Sequence, residues 1–126
     1  KQAKKNVDID NVTFEGANAH DLPYEDATFD AVVASNMLHV VDDPEQILAE
    51  ARRVLKPGGS FIATSFVTGT MRADVVKLGF KFIFWKDHET WGLNEFVNLF
   101  RENGWTVHSG RRFNSLFPVA GVVATK

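Results

Sequence analysis

The stretch DPEQILAEARRVLKPGG (43–59), set between two near-continuous apolar runs, FDAVVAS (29–35) and SFIATSFV (60–67), constrains the fold more than any other feature of the chain. Asp43 is placed to cap a helix, Pro44 suits its first turn, and Gln46 stands where a capping box wants it. Ile47, Leu48, Ala51, Val54 and Leu55 share one face, and Pro57, Gly58 and Gly59 supply stop signals. The flanking runs suit strands covered on both faces, so a strand, a crossover helix and a second strand follow, and the pair must be parallel. The fold class is therefore α/β.

The rest of the chain fits the same layering. Residues 12–14 (VTF) are a short strand candidate. Residues 68–91 are rich in aromatics, with a stretch (FIFWKDHETW) of no clean period, and read as an insertion over one end of the sheet. Residues 92–103 predict an amphipathic helix with Phe96, Val97, Leu99 and Phe100 inward, ended by Asn103 and Gly104. Two strands follow, near 105–109 and 119–125, joined by the turn-rich RRFNSLFP as an antiparallel return. No repeat or interdomain linker divides residues 1–126, so a single domain is expected.

Composition narrows the function classes. Fourteen Lys and Arg against sixteen Asp and Glu give a net charge of −2, with no basic block beyond KQAKK, so nucleic acid is not an expected partner. Zero cysteines exclude disulfides and thiolate zinc sites and fit a reducing, cytoplasmic setting. No apolar run reaches the ~18–20 residues that cross a bilayer. His20 and His108 stand outside any metal-binding motif, and no metal is expected.

ANAHDLPYEDATFDAVVAS, then NMLHVVDDPEQILAEARRVLKPGGSFIAT, then ENGW before a strand, taken in order, resemble the class I S-adenosylmethionine-dependent methyltransferases, particularly the group that includes the ubiquinone/menaquinone biosynthesis enzymes. The resemblance is strong over residues 11–67 and weak beyond. It implies a Rossmann-like sheet, mostly parallel with an antiparallel carboxyl-terminal strand, and S-adenosyl-L-methionine as cofactor. Asn18 and Ala19 are then candidates to read the adenine edge, through a side-chain amide oxygen and a backbone N–H. Leu22 supplies an apolar wall. An Asx-turn at Asn18 with Leu22 in the core is the alternative.

Ser35 and Asn36 stand where a parallel strand ends, the place where ligands of open α/β sheets bind, and the resemblance makes them cofactor contacts. Both residue types also end strands as simple turn formers. His39 lies just beyond, within reach of a transferred methyl group as a general base or as a group that orients the acceptor. Packing beneath the acceptor pocket is its other role. Residues 68–91, with Trp85, Asp87, His88, Glu89 and Trp91, are expected on the acceptor side.

The family's GxGxG turn is not present in these 126 residues, nor is the acidic strand end that holds the ribose. The resemblance therefore implies a truncated sheet lacking the family's first two strands. The leading expectation is the carboxyl-terminal part of a methyltransferase acting on a small-molecule acceptor, inactive as this chain alone. The competing one is a non-catalytic half-domain that dimerises or completes another chain through open sheet edges. A nicotinamide-dependent oxidoreductase would need a dinucleotide glycine motif that is also missing.

Overall fold

A computed structural model describes residues 11–67, 91–113 and 118–126. In chain order the elements are β1 (Phe29–Ser35), a single 3-10 turn (Leu38–Val40), α1 (Pro44–Val54), β2 (Leu55–Phe66), α2 (Leu93–Glu102), β3 (Thr106–Phe113) and β4 (Val119–Thr125). Among the described residues they build one four-stranded sheet in the order β1-β2-β4-β3.

The α1 crossover makes β1 and β2 parallel, whereas β4 runs antiparallel to both β2 and β3. The expectation of a mostly parallel sheet is thus corrected. A single reversed strand seated between two strands of common direction turns both of its own pairings antiparallel, leaving β1–β2 as the one parallel pair described. The strand expected at 12–14 is likewise corrected: these residues are irregular, and Val12 is 44% exposed. A strand exists only through a ladder partner, and the outer edge of β1 carries none among the described residues.

Asp43 caps α1 as expected, its Oδ1 accepting from the Gln46 N–H at 3.2 Å. The helix nevertheless ends at Val54, and Leu55 is already extended with φ −77° and ψ 138°. KPGG follows the helix end directly, with Pro57 two residues past the Leu55 C-cap, and is taken up into β2. Phe29 pairs with Leu55 but Ala31 with Ser60, so Lys56–Gly59 form a bulge that β1 does not match. Gly58 has φ +76°, and a Cβ on Gly59 would lie 2.9 Å from the Lys56 carbonyl oxygen. Both glycines are required there.

At α2 the Gly92 N–H donates to Glu95 Oε2 at 2.7 Å, closing one half of a capping box. Both helices lie on one face of the sheet. Phe61, Ala63, Ala34, Ala120, Val122 and Ala124 face inward and join Ile47, Leu48 and Ala51 of α1 and Phe96, Val97, Leu99 and Phe100 of α2 in one core. Small side chains on the strands leave room for rings: Phe61, Phe96, Phe100 and Trp105 contact one another with centroids 4.9–6.5 Å apart. The indole N–H of Trp105 is buried there without an acceptor. Gly110 lets α2 rest on β3, since a Cβ at that position would come within 2.5 Å of Val97 Cγ2. On the opposite face Val33, Ile62, Phe66, Phe113 and Val123 are exposed. No helix among the described residues is long and apolar enough to cross a membrane.

Candidate functional site

Asn18 and Asp21 bracket a tight turn closed by an Asp21 N–H to Asn18 carbonyl bond of 3.1 Å. Within it Asn18 Oδ1 accepts from the His20 backbone N–H at 3.1 Å, which is the Asx geometry weighed above. Oδ1 also lies 3.4 Å from His20 Nδ1, which carries no proton in the neutral ring whose Nε2 donates to the Asp42 carbonyl, so the second of the two amide-oxygen lone pairs has no donor on it. The Ala19 N–H has no partner among the described residues. Donor and acceptor thus stand on adjacent residues. Ala19 itself rests against the core, as do Met37 and Val41.

The turn is held from behind by α1. Gln46 Nε2 donates to the His20 carbonyl at 3.3 Å, and Glu50 Oε2 accepts from the Leu22 N–H at 2.8 Å. Arg53 donates to the carbonyls of Leu22 (3.0 Å) and Tyr24 (2.7 Å), to Asp26 (3.0 Å), and to both oxygens of Glu50 (2.8 and 2.9 Å). Glu50, 9% exposed, keeps its carboxyl down at about 2, through the Arg53 hydrogen bonds first and the Leu22 N–H second. Arg53 is pushed up in return by Glu50 and Asp26. The Ala27 and Thr28 N–H groups then donate to the carbonyls of Arg53 and Val54 (2.9 and 2.8 Å), satisfying acceptors that the end of α1 leaves open.

The second group of candidates lies at the carboxyl ends of β1 and β2. Ser35 pairs with Thr64. Asn36 leaves the strand with φ +50°, a left-handed conformation that Asn tolerates better than most residues. Its N–H donates to the Thr64 carbonyl (2.9 Å) and approaches Thr64 Oγ1 (3.2 Å). His39 is half-buried, its Nδ1 3.1 Å from the buried Ser65 Oγ and its ring edge-on to Phe66 at 5.1 Å. His20 ties the two groups together, its Nε2 donating to the Asp42 carbonyl at 2.6 Å.

The structure therefore brings Ser35, Asn36 and His39 to one sheet end, and sets Asn18, Ala19 and Leu22 along α1. Sequence reading gave His20 no chemistry, and it overlooked Glu50, Arg53 and Ser65. A signal for two of them was present: Gln46, Glu50 and Arg53 recur at i, i+4 and i+7, a polar stripe beside the apolar face. Residues 68–90 of the expected acceptor-side insertion lie outside the described residues. Among the described residues no group of His, Asp and Glu could hold a metal ion.

Known proteins are similar to this chain in sequence and fold. Residues 1–63 match a family described as a methyltransferase domain. Ubiquinone/menaquinone biosynthesis C-methyltransferase UbiE of Brucella canis is 47% identical over 58 residues, which are 46% of this chain and 22% of that protein. The 27-O-demethylrifamycin SV methyltransferase of Amycolatopsis mediterranei is 45% identical over 64 residues, 51% of this chain and 23% of that protein. The chain thus matches less than a quarter of the length of these relatives. Among solved structures, a SAM-dependent methyltransferase of Methanosarcina mazei superposes with a TM-score of 0.74 at 19% identity, over 99% of this chain and 74% of that one. The Burkholderia thailandensis 1,6-didemethyltoxoflavin-N1-methyltransferase, solved with 1,6-didemethyltoxoflavin and S-adenosylhomocysteine, gives 0.68 at 17% identity over 87% and 48% of the two chains. Both show the likeness of fold.

Proposed function

The chain belongs to the methyltransferase-domain family, whose cofactor is S-adenosylmethionine, and from that premise we propose that it forms the carboxyl-terminal part of a cytoplasmic enzyme that methylates a small molecule. The observation that carries the reading is the turn at 18–22, where the Ala19 N–H and the second lone pair of Asn18 Oδ1 match the ring nitrogen and exocyclic amine of adenine. Leu22 stands beside them as the wall for the ring face. These residues suit the adenosyl half of the cofactor. Anchors for the ribose and the methionine end are not among these 126 residues, so the chain by itself is proposed to be inactive.

When bound, the cofactor would supply an electrophilic methyl on a sulfonium, open to in-line attack by the acceptor with the neutral thioether as leaving group. Orientation and exclusion of water then supply much of the rate. Ser35 and Asn36 would border the cofactor at the end of β1. His39 would serve as general base where the acceptor has a proton to lose. Support for that role is the Ser65 hydroxyl, which can give its one proton to the Phe66 carbonyl (3.3 Å) while accepting from His39 Nδ1. That tautomer places the imidazole lone pair on Nε2.

Calorimetric titration with S-adenosylhomocysteine tests the reading. In the complete protein Asn18→Ala should weaken binding by about 1–3 kcal/mol, leaving the adenine amine unpaired. An unchanged Kd would confine Asn18 to its bond with the His20 N–H. The 126-residue chain should bind weakly or not at all, and tight binding would overturn its assignment as half a site.

A second reading has its own observation. Val33 is 65% exposed on β1, whose outer edge is unpaired among the described residues, and such edges recruit strands. A homo-oligomer, or completion of another chain, follows. Sedimentation across a dilution series should show a dimer or larger species; a folded monomer at micromolar concentration would remove this reading.

A further inference from the structure

The stripe Gln46, Glu50 and Arg53 touches the preceding loop in matching order: His20, then Leu22, then Leu22, Tyr24 and Asp26. The eight residues of helix from Gln46 to Arg53 span about 10 Å, and over that distance the loop is fixed through the backbone groups of His20, Leu22 and Tyr24 and the one side chain of Asp26. Leu22 is held at both, its N–H by Glu50 and its carbonyl by Arg53. Such a contact is indifferent to the loop's own side chains and specific about where its backbone lies. Glu50 is the junction of the stripe, gripping the loop with one oxygen and Arg53 with both. A well-packed helix, with Leu48 and Val54 fully buried, is thereby converted into a template for an irregular segment that has no ladder of its own.

We propose that Gln46, Glu50 and Arg53 are positioning residues for purine selectivity, setting where the Asn18–Ala19 donor and acceptor stand relative to the Leu22 wall. This rests on the reading of residues 18–22 as the adenine edge. Hypoxanthine reverses the polarity of that edge, with an acceptor oxygen at position 6 and a donor at N1. A turn held in place should reject it, and a loosened one should accommodate it. The role is one of selectivity, because both purines offer the same ring face to Leu22.

The test compares S-adenosylhomocysteine with S-inosylhomocysteine on the complete protein and on Glu50→Gln, Arg53→Lys and Gln46→Ala. The wild type should favour the adenine form by about tenfold or more. Glu50→Gln keeps the shape and removes the charge that grips Arg53; Arg53→Lys keeps the charge and removes the planar fork. Each should reduce the preference to about a third or less of the wild-type ratio, with Gln46→Ala following more weakly. A purely structural contribution would lower both affinities by a common factor and leave the ratio untouched. A wild-type ratio retained in all three variants would overturn the positioning role alone. A wild type that does not distinguish the two purines would overturn the adenine reading, and the positioning role with it. Gln46 is exposed, so its variant keeps the ratio measurable if the other two fail to fold.

Discussion

Residues 18–28 meet α1 through carboxylate, guanidinium, amide and backbone groups, each with a fixed partner, whereas α2 and Trp105 meet the sheet through rings and aliphatic chains. Both arrangements bury surface, but they do different things with it. Ring contacts are nondirectional and tolerate small shifts; a hydrogen bond weakens steeply once its angle fails. The half that carries the candidate ligand groups is the half held by directional contacts. Stability and aim are thus drawn from separate parts of one small core.

The contrast can be broken most forcefully at Phe100, fully buried against Phe61, Phe96 and Trp105. Phe100→Ala should cost about 3–5 kcal/mol in denaturant unfolding. Purine preference in the molecules that remain folded should be unchanged; a preference that falls with stability would show that the two halves are not separable. Gly110→Ala should cost about 1–3 kcal/mol, because its Cβ drives into Val97. A second-site Val97→Ala should recover part of that loss in the same assay.

Acid sharpens the comparison from the other side. Glu50 sits at about 2 when folded, below the usual carboxylate value, so its contribution is complete above pH ~4.5 and is lost as pH falls toward 2. The stability difference between wild type and Glu50→Gln should accordingly shrink over that window in acid titrations followed by circular dichroism. A constant difference would detach the clamp from the charge. The smallest effect is expected at the exposed pair Lys56–Asp30, 2.9 Å apart. Lys56→Ala should alter unfolding by less than about 0.5 kcal/mol.

Particular residues show what sequence could and could not reveal. FDAVVAS and VAGVVAT begin and end as strands where their apolar runs do, and Asp43-Pro44 marks the start of α1, because these signals are local. KPGG is equally local but ambiguous, since Pro-Gly-Gly suits a helix stop and a bulge alike. It follows the end of α1 and also forms the bulge, which only the pairing of Phe29 with Leu55 and Ala31 with Ser60 reveals. The VTF strand failed for a nonlocal reason, the want of a neighbour. In the candidate site, a motif singles out Asn18, Ala19 and Leu22 as candidates, whereas Glu50 and Arg53 show in the sequence only as part of a polar helix stripe whose partner is the loop laid across it. His20 was opaque for the same reason: its partner, the Asp42 carbonyl, is a backbone group with no signature of its own.

Trp105 gives the aromatic half an optical identity. Its indole N–H is buried with no acceptor, and its ring lies among Phe61 and Phe100 with the Arg52 guanidinium 5.8 Å from its centroid, so the excited state is largely screened from water. It should supply the blue edge of the intrinsic emission and resist quenching by iodide. Light absorbed there reports the ring cluster and its contact with Arg52 of α1. One spectrum would therefore show whether a given substitution has disturbed the ring cluster.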